Sequence, residues 1–456
     1  MGKLLEMTAV LTGLPGTGDF ARGVHPPERK TLAQDAAIEV MPPPAQVVIP
    51  LLQHTGAPCE PVVKVKDEVK LGDKIGDATG FISAPVHASI NGSVLMPSVT
   101  TLPNGRHVKT IPIKAGPDQL AGDALKSEVL GGNWPTSGLE RFAPDQIATA
   151  ARDAGLVGLG GAAFPTHVKL VRNEKRPVDT LLVNGCECEP YLTSDYRLML
   201  EFPGPVVTGA LLAAQAAGAK QIVVAIEDNK PAAADAMRKA AEGTAVKIAV
   251  VHTKYPMGGE RQVIPAVLKR EVPTGGLPLD VGVVVINVAT AAALARAVVR
   301  GKALTHRVVT VTGAGIARPK NVLVPVGISY QELIDFCGGL TPDAARVIAG
   351  GPMMGFTVAD LKVPVTKGTS GVTVLTHADL ARVDETACVR CGRCVDVCPL
   401  HLVPTKLALA SKVEDWDLAK KYHLLACCEC GCCAYTCPAA IPLVQLMRKG
   451  KAQMPR

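Results

Sequence analysis

Aromatic residues are scarce in this sequence. Phe, Trp and Tyr make up 3% of its 456 residues, so its cores must be built from Ala, Val, Leu and Ile. Long unbroken apolar runs are missing as well. The two longest, 204–219 and 281–295, are interrupted by Pro205 and Gln215 and by Asn287, and end at Lys220 and Arg296. Both fall short of the roughly 20 residues a membrane span needs, and read instead as helix and strand pairs of a water-soluble core. A strong charge of one sign is also absent. The 48 basic and 41 acidic residues leave +7, too mild for a nucleic-acid binder of this length. The opening MGKLLEMTAVLTGLPG has no apolar core followed by a small-residue cleavage site, so no secretion leader is expected.

What is present is unevenly placed. The length predicts two to four domains at about 100–200 residues each. Of 14 Cys, ten lie between Cys388 and Cys437, a clustering that points to metal rather than to disulfides. Residues 1–46 are rich in Gly and Pro and include Gly23-Val-His-Pro-Pro-Glu-Arg-Lys30, which Pro26 and Pro27 hold extended. Residues 47–115 read as short strands. An alternating run from Val62 turns at Lys66-Asp67 and Gly72-Asp73, and a strand from Ala84 turns at Asn91-Gly92. The stretch resembles a barrel-sandwich module of the biotinyl/lipoyl type. No Lys lies between Lys74 and Lys109 to carry a prosthetic group, so the module is expected to be structural.

Residues 116–305 alternate strands beginning at Thr180, Gln221, Val246 and Val281 with helices over 206–218 and 231–241, the pattern of an α/β domain around a buried sheet. Residues 306–365 read as two strands about a Gly turn, a further strand and a helix begun at Ser329, similar to a β-grasp (SLBB) unit. Residues 366–456 lead into the cysteine motifs. The expected fold class is multidomain α/β.

Cysteine spacing is the most specific signal. Cys388, Cys391, Cys394 and Cys398 precede Pro399, and Cys427, Cys430, Cys433 and Cys437 precede Pro438. Both runs are C-x2-C-x2-C-x3-C-P. In this pattern three close thiolates hold three corners of a cubane, and the fourth Cys reaches to the other cluster. One [4Fe–4S] cluster is therefore assigned to Cys388, Cys391, Cys394 and Cys437, and the other to Cys427, Cys430, Cys433 and Cys398. Structural zinc is the alternative, but zinc sites usually pair two C-x2-C units. The 28 residues between Cys398 and Cys427 have helical apolar spacing, so the domain resembles the helical type of two-cluster ferredoxin. Cys428 and Cys432 are surplus and are expected as small buried side chains.

A second signal is a glycine-rich loop. Gly158, Gly160 and Gly161 fall within four residues, after a helix expected to begin at Pro144. Glycines let backbone N–H groups approach a phosphate closely. The loop is not a dinucleotide fingerprint, which follows a strand and opens a helix. Alone it is either a turn or a ligand site. Lys169 lies eight residues after Gly161, in reach of a phosphate. Asn184-Gly-Cys-Glu-Cys-Glu-Pro190 ends the strand from Thr180, where such sheets bind ligands.

These segments resemble the flavin- and NADH-binding subunit of respiratory complex I. Its GRGGAGFPTG loop is matched by Gly158-LGGAAFPTH and its Asn-x-x-Glu-x-Glu-Pro by Asn184 to Pro190. Its Tyr-x-x-Gly-x-Glu is matched by Tyr255-PMGGE260 and its Asn-Val-Glu-Thr by Asn287-VAT. By that resemblance the FMN and NADH site comprises Gly158, Gly160, Gly161, Phe164, Lys169, Asn184, Glu187, Glu189, Tyr255, Gly258, Glu260 and Asn287. Ala289 stands where the family has Glu.

The order of segments, with GVHPPERK, NGCECEP, YPMGGERQVIP and GGPMMG, resembles the C-subunit of the Rnf electron-transport complex over nearly the whole chain. The resemblance implies electron transfer between NAD(H), FMN and two [4Fe–4S] clusters, coupled through partner subunits to ferredoxin and ion translocation. FMN exchanges hydride with nicotinamide and single electrons with clusters, and no side chain serves as catalytic acid or base. Implied partners are membrane and ferredoxin-type subunits, with this chain peripheral at the cytoplasmic face of the bacterial inner membrane. Two other readings stand beside it. One is a cobalamin reductase built of similar parts, which carries its barrel module at the C-terminal end. The other is an iron–sulfur wire with a degenerate nucleotide site, to which Ala289 gives weight.

Overall fold

The computed structural model describes residues 11–380 and 383–455. The opening ten, part of the stretch expected to hold no leader, lie outside them. Residues 14–30 run without regular structure along the α/β domain. The Gly16 and Gly18 amides donate to the Val267 and Ala266 carbonyls, and Val24 bridges Tyr255. Strand β1 (Ile38–Val40) then leaves this segment for a sheet formed much later in the chain.

The barrel-sandwich module holds β2 (Gln46–Pro50), β3 (Cys59–Pro61), β4 (Glu68–Val69), β5 (Lys74–Ala78), β6 (Val86–His87), β7 (Gly92–Val94), β8 (Ser98–Thr101) and β9 (His107–Ala115). One sheet runs β2-β9-β7-β4 with β8 also on β9, and the other β3-β5-β6. Val47, Ile49, Ile75, Val86 and Ile113 fill the space between them. The turn expected at Asn91-Gly92 differs in the structure. Gly92 already lies in β7, and a Cβ on it would fall 1.9 Å from the Lys114 carbonyl. Glycine is needed there for close strand approach, not for a hairpin tip.

The α/β domain follows as α1 (Gly122–Val129), α2 (Pro144–Asp153), α3 (Thr166–Leu170), β10 (Thr180–Gly185), α4 (Ser194–Glu201), α5 (Pro203–Ala217), β11 (Gln221–Glu227), α6 (Pro231–Ala241), β12 (Val246–Val251), α7 (Glu260–Leu268), β13 (Val283–Asn287) and α8 (Val288–Arg300). Pro203 and Pro231 open their helices, where the missing N–H costs nothing. Val281 does not open a strand; 278–281 form a 3-10 turn before β13. The sheet is wholly parallel, ordered β12-β11-β10-β13. Its Val, Ile and Leu runs are buried on both faces, as parallel sheets require. Gly209 lets α5 lie on α8, since a Cβ there would fall 1.7 Å from the Ala291 carbonyl.

The third unit holds β14 (His306–Thr312), β15 (Lys320–Pro325), α9 (Tyr330–Phe336), β16 (Ala344–Ala349), β17 (Phe356–Thr357) and β18 (Gly371–Thr376). Two strands, not three, precede α9; β1 adds itself alongside β15 in parallel. Ser329 caps α9 in a reciprocal box with Glu332. The boundary expected at residue 365 does not bound this sheet, because β18 pairs with both β14 and β16.

Last come α10 (Arg393–Asp396), α11 (Pro404–Val413), α12 (Trp416–Lys421), α13 (Cys432–Tyr435) and α14 (Leu443–Gln453). Among the described residues no single helix is long and apolar enough to cross a membrane. Helices α4 and α5 pass such a test only together, across a 96° bend. Val206, Val207, Leu212 and Ala213 of α5 are fully buried in the core.

Candidate functional site

The two cysteine loops repeat one backbone. Positions 39 residues apart share left-handed φ: Arg390 56° and Glu429 59°, Gly392 79° and Gly431 86°, His401 56° and Ala440 48°. Gly392 and Gly431 open α10 and α13, which pack on each other.

The thiols group across the loops. Cys398 lines one cleft with Cys427, Cys428, Cys430, Cys432 and Cys433 of the second loop. Cys394 lies near Cys437 and Cys391, and Cys433 near Cys427, Cys398 and Cys394. Among the described residues no three His, Cys, Asp or Glu converge as for a single ion. A zinc site would draw its sulfurs to about 2.3 Å from one metal. A cubane instead holds each thiolate on its own iron, so spaced sulfurs from both loops around one cleft suit it. Burial pushes Cys427 up to about 11 and Cys433 up to about 12, so deprotonation there calls for the positive charge of bound iron. Of the surplus pair, Cys432 is fully buried as expected, but Cys428 is exposed.

The second group of residues stands at the carboxyl end of the parallel sheet. The chain runs from β10 outward to β12, then returns to β13 on the other side of β10. Ligands bind at such a switch point, and Asn184 and Asn287 are register partners there. Asn184 donates to the Gly258 carbonyl at 2.7 Å. Asn287 caps α8 through the Ala289 amide at 2.8 Å and donates to Asp195 at 2.5 Å. The glycine loop closes on itself, the Gly158 amide donating to the Phe164 carbonyl at 2.8 Å. Its Gly160 and Gly161 are exposed, and Phe164 is half-buried.

Lys169 fits an anion in this place. Its Nζ donates to the Val285 carbonyl at 3.1 Å, which leaves two of its three protons for another acceptor. Burial pushes its pKa down, and nearby Glu260 opposes that. Lys169 is partly buried, and an ammonium with free protons is a donor suited to an anionic ligand. The four matched segments therefore converge.

A side chain on Gly160 would crowd Asn287. A Cβ there would lie 2.6 Å from Asn287 Nδ2. Gly160→Ala is expected to displace Asn287 and cost about 1 kcal/mol, the worth of a helix N-cap. Denaturant unfolding measures this, and an unchanged midpoint would show that Asn287 yields freely.

Two predicted carboxylates are engaged with the protein itself. Glu187 accepts from the Asp195 and Tyr196 amides at 2.7 and 3.1 Å, closing the N-terminus of α4. Glu189 accepts from the Met353 and Met354 amides at 2.6 and 3.2 Å, and burial pushes it up to about 7. Cys186 is fully buried, and Cys188 accepts from the Gly258 amide at 3.2 Å.

Sequence reasoning missed Lys30. Its Nζ donates to the carbonyls of Glu187, Glu189 and Leu192 at 2.8, 3.0 and 2.7 Å, so the loop after β10 is gathered on one ammonium. It also missed the buried pair Lys230 and Glu227 at 2.8 Å. The only signal for Lys30 was its place at the end of GVHPPERK.

The two groups touch. Tyr255 Oη donates to the Cys430 carbonyl at 2.6 Å, and Tyr255, Cys188, Cys430, Cys432 and Met353 form one apolar cluster. The Gly23 amide donates to the Val397 carbonyl at 3.1 Å and the Arg22 guanidinium to Val395 at 2.7 Å, so the N-terminal segment ties the cysteine loops down.

Comparison with known proteins covers each part. Family models match residues 18–118 as an RnfC barrel sandwich hybrid domain, 151–296 as a Nuo51 FMN-binding domain, 308–357 as an SLBB domain and 381–401 as a 4Fe-4S binding domain. The C-subunit of the proton-translocating ferredoxin:NAD(+) oxidoreductase complex of Clostridium ljungdahlii is 44% identical over 95% of this chain and 93% of its own length. The Na(+)-translocating counterpart of Acetobacterium woodii is 41% identical over 96% and 97%. The C-subunit of the ion-translocating oxidoreductase complex of Rhodobacter capsulatus is 44% identical over 95% and 82%. The chain thus belongs to the RnfC family, the C-subunits of Rnf-type ion-translocating ferredoxin:NAD+ oxidoreductase complexes, as an electron-transfer subunit with FMN-binding and 4Fe-4S-binding domains.

Proposed function

We propose that this chain exchanges electrons between NAD(H) and two [4Fe–4S] clusters through FMN seated where β10 and β13 diverge. The observation that carries the reading is the 2.6 Å bond from Tyr255 to the Cys430 carbonyl, which joins the nucleotide segment to a cysteine loop. Bound there, FMN supplies the conversion between hydride and single electrons. The Gly160 and Gly161 amides and the Lys169 ammonium would hold its phosphate, with Gly158 shaping the loop through its bond to the Phe164 carbonyl. Asn184 and Asn287 orient it from the strand ends, and Gly258 gives it room. Phe164 and Glu260 border the face open to nicotinamide, and Tyr255 excludes water between flavin and cysteine loop. Glu187 and Glu189 position the loop after β10 rather than touch the ligand. Cys388, Cys391, Cys394 and Cys437 hold one cluster, and Cys427, Cys430, Cys433 and Cys398 the other.

The chain is read as peripheral on the cytoplasmic face of the bacterial inner membrane, with membrane and ferredoxin-type subunits as partners. Relatives named as subunits of such complexes support the presence of partner subunits. Lys169→Ala and Glu260→Ala are expected to abolish NADH:ferricyanide reduction while the EPR signals of both clusters persist. Activity surviving in both variants would refute the nucleotide-site assignment.

A further inference from the structure

A cavity of about 540 Å³ lies between α1, α4, α8 and the first strand of the third unit. None of the twelve residues assigned to FMN and NADH lines it. Two guanidiniums do. Arg296 is 5% exposed and Arg307 3%. Arg296 donates to the Ala303 carbonyl at 2.8 Å and Arg307 to the Leu159 carbonyl at 3.0 Å, yet the Nε of each has no partner. Among the described residues neither forms an ion pair. Burial lowers both to about 10, which leaves them charged at neutral pH. Asp195 is the one carboxylate in the lining. Burial and Glu187 hold it up at about 7, and one of its oxygens is taken by Asn287. Nearby Glu128 offsets Arg296 only in part. His306, buried beside them, is lowered to about 3 and stays neutral.

Two buried cations with free donors and too little negative charge around them are costly unless an anion joins them. The rest of the wall is apolar: Leu130, Leu198, Leu304 and Val308. Inorganic phosphate would leave most of its oxygens unsatisfied against such a wall. A carboxylate takes a guanidinium edge with two parallel hydrogen bonds and lets an aliphatic body lie on the leucines. The lining matches the common form of a small-molecule site, mostly apolar with a few placed polar groups.

We propose that this cavity binds a small aliphatic monocarboxylate, with its carboxylate on Arg307 and Arg296 and its chain against Leu130, Leu198 and Val308. The site borders the nucleotide site without using any residue assigned to it: Leu159 and Ala289 lie in its wall, and Arg307 also holds the Leu159 carbonyl inside the glycine loop.

Equilibrium dialysis of the full-length chain against radiolabelled butyrate tests this. One saturable site per chain is expected, with inorganic phosphate failing to compete. Arg307→Met should weaken binding at least tenfold, about 1.4 kcal/mol. Ala293→Leu fills the cavity while keeping both guanidiniums, and should weaken binding as much even where Arg307→Met does not fold. Absence of saturation up to roughly 100 mM butyrate, a weak limit on the affinity scale, would overturn the proposal. So would unaltered binding in Ala293→Leu, or equal competition by phosphate.

Discussion

Replacing Cys398 by Ala is expected to remove the cluster of Cys427, Cys430 and Cys433 and to spare that of its sequence neighbours Cys388, Cys391 and Cys394. Cys437→Ala should do the reverse. Iron should fall from about eight to about four per chain in each case, since each four-iron cluster needs all four thiolates. The two variants should lose different EPR signals, identified by whether Cys391→Ala or Cys430→Ala loses the same one. The reason lies in the fold. Cys398 shares its cavity with the second loop, and Cys437 lies beside Cys394 and Cys391. Pairing of Cys398→Ala with Cys391→Ala would mean that each loop ligates its own cluster, contrary to this arrangement.

Lys30→Met should be the most damaging change away from the cysteines. It would strip the donor from three carbonyls gathered on one ammonium, those of Glu187, Glu189 and Leu192. A buried acceptor left without a partner costs about 1–3 kcal/mol. Removing the ammonium also relieves its own burial and its repulsion with Lys230, which together push Lys30 down in pKa. The net cost is expected to be roughly 3 kcal/mol or more, a large part of the ~5–15 kcal/mol that holds a domain folded. Thermal unfolding should show an early transition, and the purified variant should lack flavin while keeping its iron. A Lys30→Met protein with the parent's melting curve and flavin content would show that the loop after β10 stands without the clamp.

Local spacing made much of this legible. The cysteine runs suggest crossed ligation, and in the structure Cys398 lines a cleft together with cysteines of the second loop. The strands from Thr180 and Gln221 and the helix at Pro231 begin at those residues, because Gly and Pro mark their ends. What spacing could not show was partnership across the chain. Ile38–Val40 looks like part of an extended leader segment, yet it adds to a sheet that forms only after residue 306. Glu187 and Glu189 matched a ligand-binding motif, but their carboxylates serve amides of α4 and of the Met353 turn. A motif fixes residue type and place, whereas the direction of a side chain depends on which amides arrive from elsewhere. Asn91-Gly92 failed for a related reason: glycine was needed by a neighbouring strand, not by its own turn.

The Tyr255 bond to Cys430 bears on the order of the wiring. The loop that comes last in the chain is the one pressed against the nucleotide segment, and a Cβ on its Gly431 would lie 2.6 Å from the Met353 carbonyl. Cys388 and Cys391 of the earlier loop are exposed. On the proposed ligand assignment, electrical order runs against sequence order: the later loop is the junction on the flavin side and the earlier loop the outer one. Because Cys437 is assigned to the earlier loop's cluster, a deletion running back through the later loop would strip a ligand from both clusters at once.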